Sequence, residues 1–147
     1  MMDITTARDT FSHLLDDNII AFAQPKPPIH LLRNDPNDRS ADALAMNAIN
    51  IQYLNFSFGN ATVLASQQVV IDIINDDDNI AALWVSAVAT LLSSAFFTPA
   101  MSYVDPTLPV ATGYNLVWDS KRVTFKKVSN DNYAHYSCTL NLQFRGI

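Results

Sequence analysis

The C-terminal segment of the chain constrains the fold more than any other part of the sequence. From residue 133 to residue 145, apolar and polar positions alternate without a break. The predicted inward set is Ala134, Tyr136, Cys138, Leu140, Leu142 and Phe144, and the outward set is Tyr133, His135, Ser137, Thr139, Asn141, Gln143 and Arg145. Because successive side chains of a strand point to opposite faces, this pattern predicts a strand with one buried and one wet face. Such strands are typical of antiparallel sheets.

Alternation of the same kind predicts further strands. Residues 49–58 and 63–74 form two long strands with a hairpin turn at Gly59. The pattern slips by one position near Leu54 and Asn55, which predicts a β-bulge there. Shorter strands are predicted at residues 29–33, 114–118 and 123–125.

Two segments have the three- and four-residue spacing of amphipathic helices, residues 3–23 and 79–95. The aspartates at 72 and 76–78 precede the second helix, and acidic side chains accept the free N–H groups of a helix start. A calcium loop is the alternative for this cluster, but it requires a glycine and a bidentate glutamate, and the chain has no glutamate. The predicted core stripes are Ile4, Ala7, Phe11, Leu14, Leu15, Ile19 and Phe22 in the first helix, and Ile80, Leu83, Trp84, Ala87, Val88, Leu91, Leu92 and Ala95 in the second.

These elements predict a single α+β domain over residues 1–147, an antiparallel β-sheet with two helices packed on one face. Two stretches, 34–46 and 98–113, are predicted to be long loops because they are rich in proline and other turn-forming residues. Loops of this length inside a compact domain are commonly functional, so we expect them to reach partners.

The outward side of the second helix is unusual because it carries no charge. It consists of Ala81, Ala82, Val85, Ser86, Ala89, Thr90, Ser93 and Ser94, whereas solvated helix faces normally carry lysine and glutamate. Only 16% of the residues are charged, against about 25% in an average domain. The alternative is a monomer with a well-filled core. We predict a contact with other subunits, and the predicted interface residues are Ala82, Val85, Ser86 and Ala89, with Arg33, Asp38, Arg39 and Tyr103 in and beside the loops.

The sequence offers no active site, and we expect neither enzymatic activity nor a cofactor or metal. His13, His30 and His135 have no aspartate, cysteine or serine at motif spacing, and Cys138 is the only cysteine. Glycine-rich phosphate loops are absent. The net charge of −5 argues against a nucleic-acid-binding surface, which requires clustered lysine and arginine. Serines and a threonine interrupt the longest apolar stretch, so we expect no membrane span.

The order of the elements resembles that of a phage family. An N-terminal helix leads to a proline-flanked strand, here QPKPPI from residue 24. A long hairpin follows, and its second strand, QQVVIDI from residue 67, runs into an amphipathic helix and then closing strands. This arrangement is similar to the tail-terminator and tail-completion proteins of tailed bacteriophages, including the lambda-type minor tail terminator, and the likeness covers most of the chain.

The resemblance implies a structural virion protein of the tail and neck that is assembled in the host cytoplasm. It implies a homohexameric ring on the last ring of the tail-tube protein, which stops tube growth and meets the head-side connector. The uncharged helix face and exposed strand edges could supply the heterologous contacts of a ring. An acidic lumen would let DNA pass without binding it. The alternatives are another head–tail adaptor or tail-tube ring protein, or a small-ligand or regulatory binding domain with a pocket between helix and sheet.

Overall fold

A computed structural model describes residues 4–32, 44–59, 63–94, 97–105, 108–118 and 123–146. Predicted interface residues Arg33, Asp38 and Arg39 lie outside these ranges, as does most of the predicted loop at 34–46. The elements are α1 (Ile4–Asn18) with a 3-10 turn (Ile19–Ala21), β1 (Ile29–Leu31), β2 (Ala48–Phe58), β3 (Val63–Asn75), α2 (Asp78–Ser94), β4 (Phe97–Asp105), β5 (Leu108–Val117), β6 (Lys126–Val128) and β7 (Ala134–Gly146).

The strands form one mixed sheet in the order β1-β2-β3-β7-β5-β4, with β6 paired to β7 outside this path. Every strand pair is antiparallel except β1 with β2, which is parallel. The predicted α+β class is therefore confirmed, and the sheet is mostly antiparallel. Strand β7 is central, because β3 pairs with one of its edges along almost its whole length while β5 and β6 share the other.

Both helices contribute to a single core on one face of the sheet. The aromatic rings of Phe11 on α1 and Trp118 after β5 meet edge to face at 6.4 Å. The Trp118 Nε1 group donates a hydrogen bond of 2.8 Å to the carbonyl oxygen of Leu92 on α2, so the buried indole is both packed and satisfied. The largest fully buried side chains are Phe11, Leu15, Ile19, Ile49, Ile51, Ile71, Ile73, Ile74, Leu92, Leu116, Leu142 and Phe144. Burying each contributes about 1.5–3 kcal/mol.

The first helix is shorter than predicted. It ends at Asn18, whose Nδ2 donates to the carbonyl of Leu14, and a 3-10 turn follows. The tighter turn rotates the chain away from the helical phase. Phe22, predicted to be in the core stripe, is consequently 40% exposed, while Ala23 is buried instead.

The predicted β-bulge is confirmed between Tyr53 and Phe56. The side chain of Gln67, which is fully buried on β3, stabilises it by donating from Nε2 to the carbonyl oxygens of Leu54 (3.1 Å) and Asn55 (3.2 Å). These carbonyls would otherwise lose a regular ladder partner at the bulge.

The predicted loop at 98–113 is wrong, since its described residues belong to the β4–β5 hairpin. Met101 pairs with Ala111 and Ser102 with Val110. Pro99 is tolerated because β4 is the last strand of the sheet path, where a missing N–H breaks no ladder bond on the open side. Tyr103, a predicted interface residue, lies in β4.

The strand predicted at residues 123–125 is also displaced. The observed strand is Lys126–Val128, immediately downstream. Val123 and Phe125 are instead partly buried against the core. The alternating apolar side chains of this segment therefore reflect its contact with the core. The segment itself does not pair with a neighbouring strand in this structure.

Candidate assembly surface

The predicted core stripe of α2 is confirmed at Trp84, Ala87, Val88, Leu91 and Leu92 and is wrong at its start. Ala81, predicted to face outward, is fully buried, whereas Ile80 and Leu83, predicted to be core residues, are 41% and 53% exposed. Ala81 also fits the three- and four-residue spacing, and the observed helix packs this small side chain in the core. Ala95, at the end of the predicted stripe, lies outside the described residues.

The four predicted interface residues of this helix divide into two pairs. Ala82 and Ser86 are exposed, while Val85 and Ala89 are more buried and Val85 packs against the core. No residue from 79 to 94 is charged, so the exposed face has an apolar or hydroxyl character throughout. Its interface role stays a prediction.

A second element, which contacts α2, also exposes large apolar side chains. The 3-10 turn contacts α2, and the chain exposes Ile20 and Phe22 there. Together with Ile80 and Leu83 they form what we call the helix ridge, four large exposed apolar side chains on two contacting segments. Isolated exposed apolar residues are ordinary, but clusters mark sites of interaction. Sequence periodicity had placed three of the four in the core, which is why the ridge was missed.

The aspartates at the start of α2 accept hydrogen bonds from the helix itself and from distant parts of the chain. Asp77 caps the helix, since its Oδ1 accepts from the N–H of Asn79 at 2.8 Å and its carbonyl oxygen accepts from Ala81 N–H. The capping prediction is confirmed. Asp78 accepts from the hydroxyl of Tyr136 (2.9 Å) and pairs with Lys127 (3.4 Å). Chiefly the Tyr136 hydrogen bond, and then Lys127, lower the pKa of the Asp78 carboxyl, and the same bond raises the pKa of Tyr136.

Asp72, grouped with that cluster in the sequence, has a different partner. Its Oδ1 lies 2.7 Å from Nε2 of His135 on the neighbouring strand, and both side chains are about nine-tenths buried. The contact joins residues far apart in sequence but on the same face of two paired strands. Register could have revealed it, because Ile74 pairs with His135 and Asp72 lies diagonally across.

The segment before β2 contacts the sheet near Asp72, on the face opposite to the helices. Asn50, which is fully buried, accepts from the N–H of Ala45 (2.7 Å) and donates to the Ala45 carbonyl (3.0 Å) and the Asp72 carbonyl (3.3 Å). Asn47, in the left-handed region at φ 54°, hydrogen-bonds Asp76 through both side-chain atoms. The side chains of His135 and Asp72 are largely buried, and neither lines a described cavity.

His13 lies in a different part of the molecule, on α1. His13 is half-buried beside a small cavity of about 150 Å³ between α1 and β1. The two groups there that could assist it are engaged, Ser12 with the Tyr53 hydroxyl and Asp16 with Lys26 (2.6 Å). Within the described ranges, no group of three potential metal ligands is present.

A larger cavity, about 430 Å³, lies near the junction of β5 and β7. Its described lining is Val117, Trp118, Thr139, Leu140, Asn141, Gln143 and Arg145. Arg145 donates to the side-chain oxygen of Gln143 through Nε (3.2 Å) and Nη2 (2.7 Å). Arginine does not exchange protons near neutral pH, so the described lining has no general acid or base.

Two further predictions concern the cysteine and the membrane. Cys138 is buried as predicted, and burial raises the pKa of its thiol. No described helix is both long and apolar enough to cross a membrane.

Comparison with known proteins adds to the fold but not to the function. No protein-family model matches the chain, and no curated protein matches it significantly. Among solved structures, one aligns with the whole of this chain and with 99% of its own, at a TM-score of 0.52 and 13% identity, and its name describes no activity. At that identity the likeness shows a shared fold alone.

Proposed function

We propose that this chain is a structural subunit that assembles with copies of itself into a ring, and specifically that it is a tail terminator of a tailed bacteriophage. In this role the ring caps the tail tube and meets the head-side connector. The observation that carries the proposal is the helix ridge beside the uncharged face of α2.

The exposure of these apolar side chains to water is unfavourable for a free subunit. Leu83 is 53% exposed, and Ile20, Phe22 and Ile80 are similarly exposed on the adjoining segments. Burial removes about 25 cal/mol of unfavourable free energy for each Å² of apolar surface. No charged side chain on α2 beyond Asp78 would have to be desolvated on contact, so the gain is not offset by a buried unpaired charge. A ridge that meets a different surface of the next copy forms a heterologous contact, which can close into a ring.

The finer identity rests on the order of the elements and on charge. The helix, proline-flanked strand, long hairpin, second helix and closing strands follow the order that suggested the terminator family. The net charge of −5 suits a ring through which DNA passes without being held. A head–tail adaptor or a tube subunit is the alternative within the same class. A small-ligand binding domain is the alternative outside it, favoured by the 430 Å³ cavity.

The experiment compares two aspartate substitutions at exposed apolar positions. Leu83→Asp places a charge in the ridge, while Val128→Asp places one at an exposed apolar position on β6, which is not one of the four ridge residues. We expect the wild-type chain and Val128→Asp to form rings by sedimentation velocity and negative-stain microscopy, and Leu83→Asp to sediment as smaller species with an unchanged circular dichroism spectrum. A wild-type chain that stays monomeric at every concentration would contradict self-assembly. Rings that persist in Leu83→Asp would contradict the role of the ridge.

A further inference from the structure

The distal half of β2 is an exposed strand edge. Strand β1 pairs with β2 only at residues 49–51, so among the described residues no strand pairs with the outer edge of β2 beyond that point. Leu54 and Phe58 are 37% and 62% exposed, and Asn55 and Ser57 are exposed as well. We call residues 54–58 the β2 edge.

Successive residues of a strand direct their backbone N–H and C=O groups to opposite sides, which identifies the groups that point outward at this edge. Toward β1, β2 uses Ile49 and Ile51, since Ile49 N–H donates to the Pro28 carbonyl and the Ile51 carbonyl accepts from Leu32 N–H. The bulge inserts one extra residue after Tyr53, which moves the outward phase from odd to even positions. The N–H and C=O groups of Phe56 and Phe58 therefore point away from β3, into the open side.

The β2 edge carries none of the side chains that prevent strands from pairing, and the bulge lies at its start, before Phe56. Natural edge strands carry lysine, proline or inward charges that block another strand, and residues 54–58 contain none of these. The rings of Phe56 and Phe58 stand edge to face at 5.2 Å on the helix-bearing side of the sheet. An uncharged edge with two aromatic side chains is suited to strand addition.

We propose that the β2 edge pairs antiparallel with the β2 edge of a second copy of this chain, about a two-fold axis at Ser57. Only this self-pairing places Phe56 opposite Phe58 of the second copy and Phe58 opposite Phe56, which matches the outward backbone groups and brings the aromatic rings together. The β2 edge itself carries no charged side chain, and the aspartates at 76–78 follow the end of β3, at the opposite end of the hairpin from residues 56–58. Neither therefore opposes the approach of a second copy at this edge.

This contact goes beyond the proposed ring and does not depend on it. A two-fold contact is isologous and cannot by itself build a ring. It joins subunits in pairs, through a surface separate from the helix ridge. The two contacts can therefore be removed one at a time.

The first test is a single cysteine substitution at the axis. At a non-hydrogen-bonded antiparallel pair, Cβ atoms lie about 4.5–5.5 Å apart, close to the spacing that a disulfide needs. We expect Ser57→Cys to form a disulfide-linked dimer under mild oxidation, with peptide mass spectrometry locating the crosslink at position 57 of both copies. The wild-type chain controls for the buried Cys138, and Asn132→Cys, at an exposed position between β6 and β7 outside both proposed contacts, controls for thiol exposure. A Ser57→Cys chain that links no faster than Asn132→Cys overturns the proposal.

The second test separates this contact from the ring. In a Leu83→Asp background we expect dimers by sedimentation velocity, and adding Ser57→Lys should shift them to monomers, because two lysines would face each other at the axis. Ser57 is exposed, so the substitution leaves the fold intact, as circular dichroism will report. Dimers that survive Ser57→Lys overturn the edge contact and leave the ring proposal standing. Rings lost in Leu83→Asp with dimers retained support both.

Discussion

The two halves of β2 differ in what covers them. In the first half, residues 48–51 and Tyr53 are buried, and β1, α1 and the segment before β2 lie against them. In the second half only Phe56 is partly buried, although Phe56 and Phe58 are as apolar as Ile49 and Ile51. An apolar residue in a strand therefore indicates that its side chain is buried. It does not indicate whether the same chain or another subunit buries it.

The largest expected effect follows from this contrast. Ile51→Ala should lower the free energy of unfolding by about 2–5 kcal/mol, because it leaves a cavity in a fully buried site. Phe58→Ala on the same strand should lower it by less than about 1 kcal/mol, since its ring is mostly exposed. Urea unfolding of the Leu83→Asp, Ser57→Lys chain, in which both proposed contacts are removed, measures the two losses. Similar losses at the two sites would mean that the chain itself covers the β2 edge.

Two asparagines on β2 give a matched pair of intermediate size. Asn50 is buried and bonded to Ala45 and the Asp72 carbonyl, while Asn55 is exposed and donates to Gln68 at 3.1 Å. Asn50→Ala should cost about 2–3 kcal/mol, because buried backbone groups lose their partner, and Asn55→Ala less than about 0.5 kcal/mol. Chemical denaturation at neutral pH measures the difference. Equal costs would contradict the view that Asn50 holds the segment before β2 in place.

The same contrast shows how far the sequence could predict the fold. Strict alternation located β7, β3 and most of β2, because each has one apolar face that must be buried. The bulge could be found from the slip after Tyr53. Sequence alone also located Asp77 at the start of α2, since helix caps depend on neighbouring residues.

What the sequence could not predict depends on contacts between distant residues. The start of the α2 core stripe was wrong because Ile80 and Leu83 fit a helical stripe as well as Ala81 does, and only packing against the rest of the core distinguishes the two. Strand β4 and residues 108–113 of β5 were missed because their prolines were read as loop signals, although an outer strand such as β4 tolerates proline. The contact of Asp72 with His135 required the register of β3 and β7, which no local pattern contains.

The smallest expected effect tests the acidic end of the sheet, opposite the β2 edge, through pH. The Tyr136 hydrogen bond lowers the folded-state pKa of Asp78 below its ordinary value of 3.8. A lowered carboxyl pKa stabilises the folded state above the unfolded pKa, and this contribution disappears as the pH falls through the folded pKa. Tyr136→Phe should therefore lower Tm slightly at pH 6, and the deficit should shrink below pH 3.8.

A matched control for this pH dependence is Tyr133→Phe, which removes a hydroxyl close in sequence that is not bonded to Asp78. It should show no comparable change in Tm between pH 6 and pH 3, since no carboxylate of the described residues is seen to accept a hydrogen bond from it. Thermal unfolding followed by circular dichroism at both pH values measures the two variants. A Tyr136→Phe deficit of equal size at pH 6 and pH 3 would mean that packing, and not the hydrogen bond to the carboxylate, connects β7 to the start of α2.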